Sequence, residues 1–174
     1  MITEDYVSFE TAKLLKEKGF KEWCFHCYGV AVLHNGVDIS FDEECDLKSD
    51  GRENEIEYIE GGRLYDYGCN NSDKDAKVWA APTLWVAMKW LREIHNIIVA
   101  IDYDYEFTDT SYCYKIYHLG ENGKPERIAI TGVSDRDEEE HIVGFRDYKR
   151  SYKDYATYED AADDGIRYCL ENLI

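Results

Sequence analysis

The chain has 174 residues and carries 37 Asp and Glu against 20 Lys and Arg, a formal net charge of −17. Binding to phosphate backbones rests on Lys and Arg that neutralise phosphates, so this balance excludes a conventional nucleic-acid binder and disfavours adsorption to an anionic membrane. The length fits one domain with a real core, and a hydrophobic share of 44% with 14% aromatics argues against disorder.

The first predicted element is a helix over Ser8 to Lys18. Ser8 is a good N-cap, Val7 can pack on Ala12, and Gly19 followed by Phe20 supplies the stop. Lys13, Lys16, Lys18 and Lys21 are expected on its solvated side and end. A strand over Trp23 to Leu33 turns at Asn35-Gly36 into a second strand through Val37, Ile39 and Phe41. Residues 42–54 read as a polar acidic loop, Glu55 to Ile59 as a short strand broken by Gly61-Gly62, and residues 69–76 as another polar loop. Pro82 suits the first position of a second helix, with Leu84, Ala87, Met88, Leu91 and Ile94 on its apolar face and Trp90 widening it.

Three strands follow: Ile97 to Phe107, Ser111 to Leu119, and Arg127 to Val133 after a turn at Asn122-Gly123. Asp135 to Glu140 reads as an acidic loop and Ile142 to Phe145 as a further short strand. The last helix spans Tyr158 to Asn172, capped by Thr157, with Asp163 and Arg167 as an i,i+4 pair. The expected architecture is a single α+β domain over residues 1–174, with three helices packed on an antiparallel sheet of four to six strands.

The N-terminal residues Met1 to Asp5 show no basic segment leading into an apolar run. No apolar stretch approaches the ~18 residues of a membrane helix. The six cysteines, at 24, 27, 45, 69, 113 and 169, are therefore read as reduced thiols of a cytoplasmic protein.

Three segments stand out: Tyr6-Val7-Ser8-Phe9-Glu10 with Ala12 to Phe20, then Ala81-Pro82-Thr83-Leu84 with Ala87, Lys89 to Glu93 and His95 to Ile97, and finally Tyr158-Glu159-Asp160-Ala161 with its helix. Together they resemble small hypothetical proteins of Bacteroides-type gut bacteria and their phages. The likeness covers under half of the chain and leaves out Asp38 to Asp75. It implies a coherent fold and a mobile-element setting, and it carries no catalytic residue across.

Candidate chemistry starts at Trp23-Cys24-Phe25-His26-Cys27, which resembles the Trp-Cys-x-His-Cys site of thioredoxin-like oxidoreductases. In that family a strand precedes the motif and a helix carries it. Here a helix precedes and a strand follows, which would send Cys24 and Cys27 to opposite faces. A zinc site would need Cys45, Cys69 or His26 as further ligands, without a second close pair. Asp46 to Gly51 with Glu57 matches four positions of an EF-hand loop, though Lys48 stands at a ligand position. Asp102, Asp104 and Glu106 share one strand face, able in principle to bind a cation or form an acid/base pair, or simply to face solvent. His118 and His141 have no partner at catalytic or metal spacing, and Tyr112, Tyr114 and Tyr117 lack the basic groove that base stacking requires.

The sequence therefore points to a non-enzymatic protein-binding or accessory module of a mobile element, with another protein as partner, no direct contact to nucleic acid or membrane, and no cofactor. Two alternatives stay open. One is an acidic DNA mimic built on residues 38 to 60, which hold ten acids and two bases. The other is an enzyme or metal-binding protein that uses Asp102, Asp104 and Glu106, or Cys24 and Cys27.

Overall fold

Ser8 opens the first helix, α1 (Phe9–Glu17), as its capping pattern predicts. Its hydroxyl accepts from the Thr11 N–H at 3.3 Å. At the other end Gly19 takes a φ of +89°. The Gly19 and Phe20 N–H groups donate back to the carbonyls of Lys16 and Leu15 at 3.2 and 2.9 Å, closing a Schellman motif that buries Phe20 completely. The computed structural model describes residues 5–104, 111–120, 124–131, 149–151 and 155–174. Within them the fold is α+β, and the chain forms two compact units, one of residues 15–82 and one of residues 1–14 with 83–174. Among the described residues no helix is long and apolar enough to cross a membrane.

In the unit of residues 15–82, β1 (Cys27–His34) is central. Antiparallel β3 (Ile56–Tyr65) lines one side of β1, while β2 (Val37–Asp38) and β4 (Trp79–Ala80) pair with the other side at its two ends. Asn35 and Gly36 both have positive φ, as a two-residue hairpin turn requires. The second strand stops at Asp38, short of the expected Ile39 and Phe41. The reason is Ser40, which caps α2 (Phe41–Ser49) where a loop over 42–54 was expected. Its hydroxyl accepts from the Glu43 N–H, and the Glu43 carboxylate accepts from the Ser40 N–H at 2.8 Å. Asp42, Glu43 and Glu44 then sit at the positive helix N-terminus. The hydrophobic pattern conceals this helix, because Leu47 alone on it is buried.

β3 also departs from expectation, since it runs through Gly61-Gly62 instead of breaking there. The pairing with β1 slips between Gly29 and Ala31, so the glycines form a bulge, with Gly61 at a φ of +68°. Most of β3 is exposed, and among the described residues no strand pairs with its outer edge.

Lys16 corrects another expectation. It is 8% exposed rather than solvated. Its ammonium donates to the carbonyls of Ala76 at 2.5 Å and Val78 at 3.0 Å, and lies 5.6 Å from the Trp79 ring centroid. The buried Asn71 plays a matching part, accepting from the Ala80 N–H at 2.9 Å. Both side chains satisfy backbone groups of a segment with little regular structure of its own.

In the unit of residues 1–14 and 83–174, Thr83 caps α3 (Leu84–His95), accepting from the Val86 N–H at 3.4 Å. Pro82 therefore stands just before the cap instead of inside the helix, because a hydroxyl can take a first-turn N–H and a proline ring cannot. Leu84, Ala87, Trp90 and Leu91 are buried, whereas Ile94 of the expected apolar face is exposed. The strands β5 (Ile97–Asp104), β6 (Ser111–Leu119) and β7 (Pro125–Thr131) are antiparallel neighbours. β8 (Lys149–Ser151) adds a parallel pair to β7, so this sheet is not wholly antiparallel. The expected pieces at 105–107, 135–140 and 142–145 lie outside the described residues. The last helix is α4 (Tyr158–Asn172), as expected, capped by Thr157 through the Asp160 N–H at 3.1 Å; the helix beyond the expected three is α2.

Helices α3 and α4 pack on each other and on this sheet, around Leu91, Val99, Tyr114, Ile116, Ile166 and Leu170. Asp163 does not pair with Arg167. It accepts from the Ser8 N–H at 2.9 Å and the Ser8 hydroxyl at 2.7 Å, fixing the start of α1, while Arg167 pairs with Asp164. Gly165 sets how closely α4 approaches the sheet: a Cβ there would meet Val99 Cγ1 at 2.9 Å and the Tyr114 ring at 3.1 Å.

Two substitutions test this account. Gly165→Ala is expected to lower stability by about 1–3 kcal/mol through overpacking. Lys16→Met keeps the apolar stem and strands two carbonyls, with an expected loss of about 1–3 kcal/mol. Urea unfolding of each variant measures both.

Candidate functional site

Residues 23–27 and 66–71 run side by side in the unit of residues 15–82. Cys24 and Cys69 form an antiparallel bridge, each N–H donating to the other's carbonyl at 2.9 Å. Extended backbone alternates its side chains. Cys24 therefore turns inward, at 4% exposed, and its neighbours Trp23 and Phe25 turn outward, at 63% and 78%. Trp23 lies over Gly68, where any Cβ would strike the indole at 2.5 Å. A bend at Phe25 separates this bridge from β1, so Cys27 also faces inward and is fully buried. That bend corrects the expectation that Cys24 and Cys27 point to opposite faces.

Below the aromatic pair Cys24, Cys27 and Cys69 lie near enough to affect one another's titration. Burial, and then the neighbouring Glu22 and Cys27, push the Cys24 thiol up to about 11. Burial and Cys27 push Cys69 up to about 12, against the lowering influence of Lys16. The Tyr67 phenol rises to about 12, chiefly through its hydrogen bond with Cys27. At neutral pH Cys24 and Cys69 are thus protonated, the reverse of the lowered thiol that an oxidoreductase motif needs. None of the six cysteines is in a disulfide. His26 Nε2 lies 3.3 Å from Asp66, and Cys45 sits exposed on α2. Among the described residues no group of three or more His, Cys, Asp or Glu could hold a metal ion.

The remaining candidates are separate from this site. Asp102 is exposed and forms an ion pair of 2.5 Å with Lys115, its diagonal neighbour on β6, which holds its carboxyl below the ordinary range. Asp104 ends β5 opposite Ser111, and Glu106 lies outside the described residues, as does His141. Of the EF-hand match, Asp46 and Lys48 stand on α2, where Lys48 pairs with Glu44, and Glu57 is on β3, so these residues do not form one loop. Tyr114 is buried beneath α4 with its ring near Tyr155 and Tyr168, a packing role and not a base-stacking one. An open depression of about 700 Å³ is lined by Ile94, His95, Ile97, His118, Leu173 and Ile174. Burial holds the His95 imidazole below its ordinary range there, which favours the neutral ring.

Sequence reasoning misses Tyr67 and names Cys69 only as one of several possible further ligands for the Cys24–Cys27 pair. The alternation Trp23-Cys24-Phe25 was the available signal, since a thiol between two large aromatics implies one buried face and one exposed aromatic face. Compared with family models, curated proteins and solved structures, the chain matches none.

Thiol reactivity checks the geometry. With iodoacetamide at neutral pH, the exposed Cys45 is expected to react at least about tenfold faster than Cys24 or Cys69, whose rates rise about tenfold per pH unit. Peptide mapping after timed quenching reads each position.

Proposed function

We propose that the protein is a non-enzymatic protein-binding module and that the aromatic surface of Trp23, Phe25 and Tyr67 engages the partner. The observation that carries this reading is the outward presentation of Trp23 and Phe25 by a backbone bridge that fixes their direction. Large aromatics on rigid backbone are the usual anchors of protein interfaces. Of the twelve exposed large hydrophobics among the described residues, eight belong to residues 15–82: Trp23, Phe25, Val37, Phe41, Tyr58, Ile59, Leu64 and Tyr67. The acid excess favours a partner whose apolar pocket is rimmed by basic side chains.

An enzymatic reading is weaker, because Cys24 and Cys69 are kept protonated and Asp102 is paired with Lys115. Mimicry of DNA is weaker as well. Asp38, Glu44, Glu55 and Glu60 within residues 38–60 are tied to Arg63, Lys48, Arg52 and Lys77, which breaks up any phosphate-like display. The accessory role in a mobile element and the cytoplasmic setting are part of this proposal and rest on the resemblance of three sequence segments alone.

The test compares the wild-type chain with a Trp23→Ala/Phe25→Ala double variant as baits, with titration of any captured partner. The expected result is a loss of affinity of about tenfold or more with an unchanged melting temperature. A double variant that retains full affinity overturns the assigned surface, and a wild-type bait that captures nothing overturns the function.

A further inference from the structure

The depression of about 700 Å³ belongs to the unit of residues 1–14 and 83–174 and takes no part in the proposed partner surface. Its place in the fold decides its chemistry. Ile94 and His95 are the last two residues of α3, and Leu173 is the C-cap of α4, so two helices end at one hollow. Each helix C-terminus carries about half a negative charge. α4 does not compensate its own: its last turn holds no basic residue and contains the exposed Glu171. Arg92, in the last turn of α3, is turned back along its helix, 5.8 Å from the Trp85 ring centroid and 3.7 Å from Glu93. The walls are mainly aliphatic, from Ile94, Ile97, Leu173 and Ile174, with His118 directly opposite Ile97 across β5 and β6. One polar atom is left over. His95 Nε2 is buried and has no hydrogen-bond partner among the described residues, and its ring packs edge-on against Trp90 at 4.6 Å between centroids. Buried polar groups normally have partners, so an orphaned one on the wall of an apolar hollow marks a place for a ligand atom. Burial favours the neutral imidazole, which keeps one nitrogen free to accept a hydrogen bond.

We propose that this hollow binds an amphipathic primary amine, its ammonium donating to His95 Nε2 between the two helix ends and its hydrocarbon body lying against Ile94, Ile97, Leu173 and Ile174. The competing head groups fit less well. A carboxylate could accept from the other imidazole tautomer, but it would face two negative helix ends in a chain of net charge −17. An alcohol could satisfy Nε2 and gains nothing from the helix ends. An ammonium without an apolar body gains nothing from the aliphatic walls and keeps its water. Because the hollow is open, the ammonium keeps N–H groups turned to water and is only partly desolvated. This site stands independently of the proposed partner binding.

The experiment titrates the full-length chain with hexylammonium and follows imidazole and backbone resonances by NMR, with 1-hexanol, hexanoate and methylammonium as parallel probes. Saturable shifts at His95, His118 and Leu173 are expected with hexylammonium. Hexanoate is expected to bind at least about tenfold more weakly, 1-hexanol to fall between the two, and methylammonium to give no saturable shift. Glu171→Lys, an exposed change that compensates the end of α4, is expected to weaken hexylammonium about threefold and to leave 1-hexanol unchanged. His95→Phe is expected to abolish the preference for the amine over the alcohol. The four probes on the wild-type chain decide the matter even where His95→Phe fails to fold. No saturable shift at these residues, hexanoate binding as tightly as the amine, or methylammonium reproducing the shifts would each overturn the proposal.

Discussion

Two backbone hydrogen bonds between Cys24 and Cys69 organise the candidate site in the unit of residues 15–82. They join a segment that follows α1 to a segment more than forty positions later, and they decide which side chains face in and which face out. The second segment has little regular structure between β3 and β4. A backbone of that kind stays ordered only when its polar groups find partners. The Lys16 ammonium takes two of its carbonyls, and Asn71 takes the N–H of Ala80. Fixed in this way, Trp23 and Phe25 are held exposed on ordered backbone, so the proposed binding would incur little further cost of ordering.

How far the sequence could be read depended on how local each cause was. Ser8, Gly19 and Phe20 define α1 within a few residues of one another, and Thr157 does the same for α4, so both helices were legible. Asn35-Gly36 fixed the hairpin for the same reason. α2 was hidden although Ser40 and Glu43 spell a capping box, because an acidic segment with one buried residue carries almost no hydrophobic period. Gly61-Gly62 reads as a break, yet β1 supplies enough pairing on either side to turn it into a bulge. The burial of Lys16 and the bridge between Cys24 and Cys69 depend on partners roughly forty to sixty positions away, beyond any local pattern. The same limit separated Asp163 from Ser8 and left Arg167 assigned to the wrong carboxylate.

The charge of −17 takes on a more local meaning in the folded chain. Glu43 is spent on the Ser40 cap, and Glu44, Glu55 and Asp38 are spent on Lys48, Arg52 and Arg63. Such exposed pairs contribute little stability. The contacts that fasten α2 and the turn after it to the sheet are others: Tyr58 donates to Glu44 at 2.8 Å, and His34 lies 2.8 Å from Glu55. The acidic segment is thus a folded part of this unit.

The outer edge of β3 has a consequence for how copies of the chain behave toward one another. A mostly exposed strand of ten residues, whose outer edge no strand among the described residues pairs, is a template for strand addition, and Tyr58, Ile59 and Leu64 would make such contacts adhesive. Two devices oppose this. The bulge at Gly61-Gly62 interrupts the run of edge hydrogen bonds, and Glu57, Glu60 and Arg63 place charge along it. The bulge is permanent, but the charges act through water and fade as salt screens them. Colloidal stability therefore depends on ionic strength at this strand: dilute salt keeps the edges apart, and concentrated salt leaves the bulge as the remaining barrier to stacking.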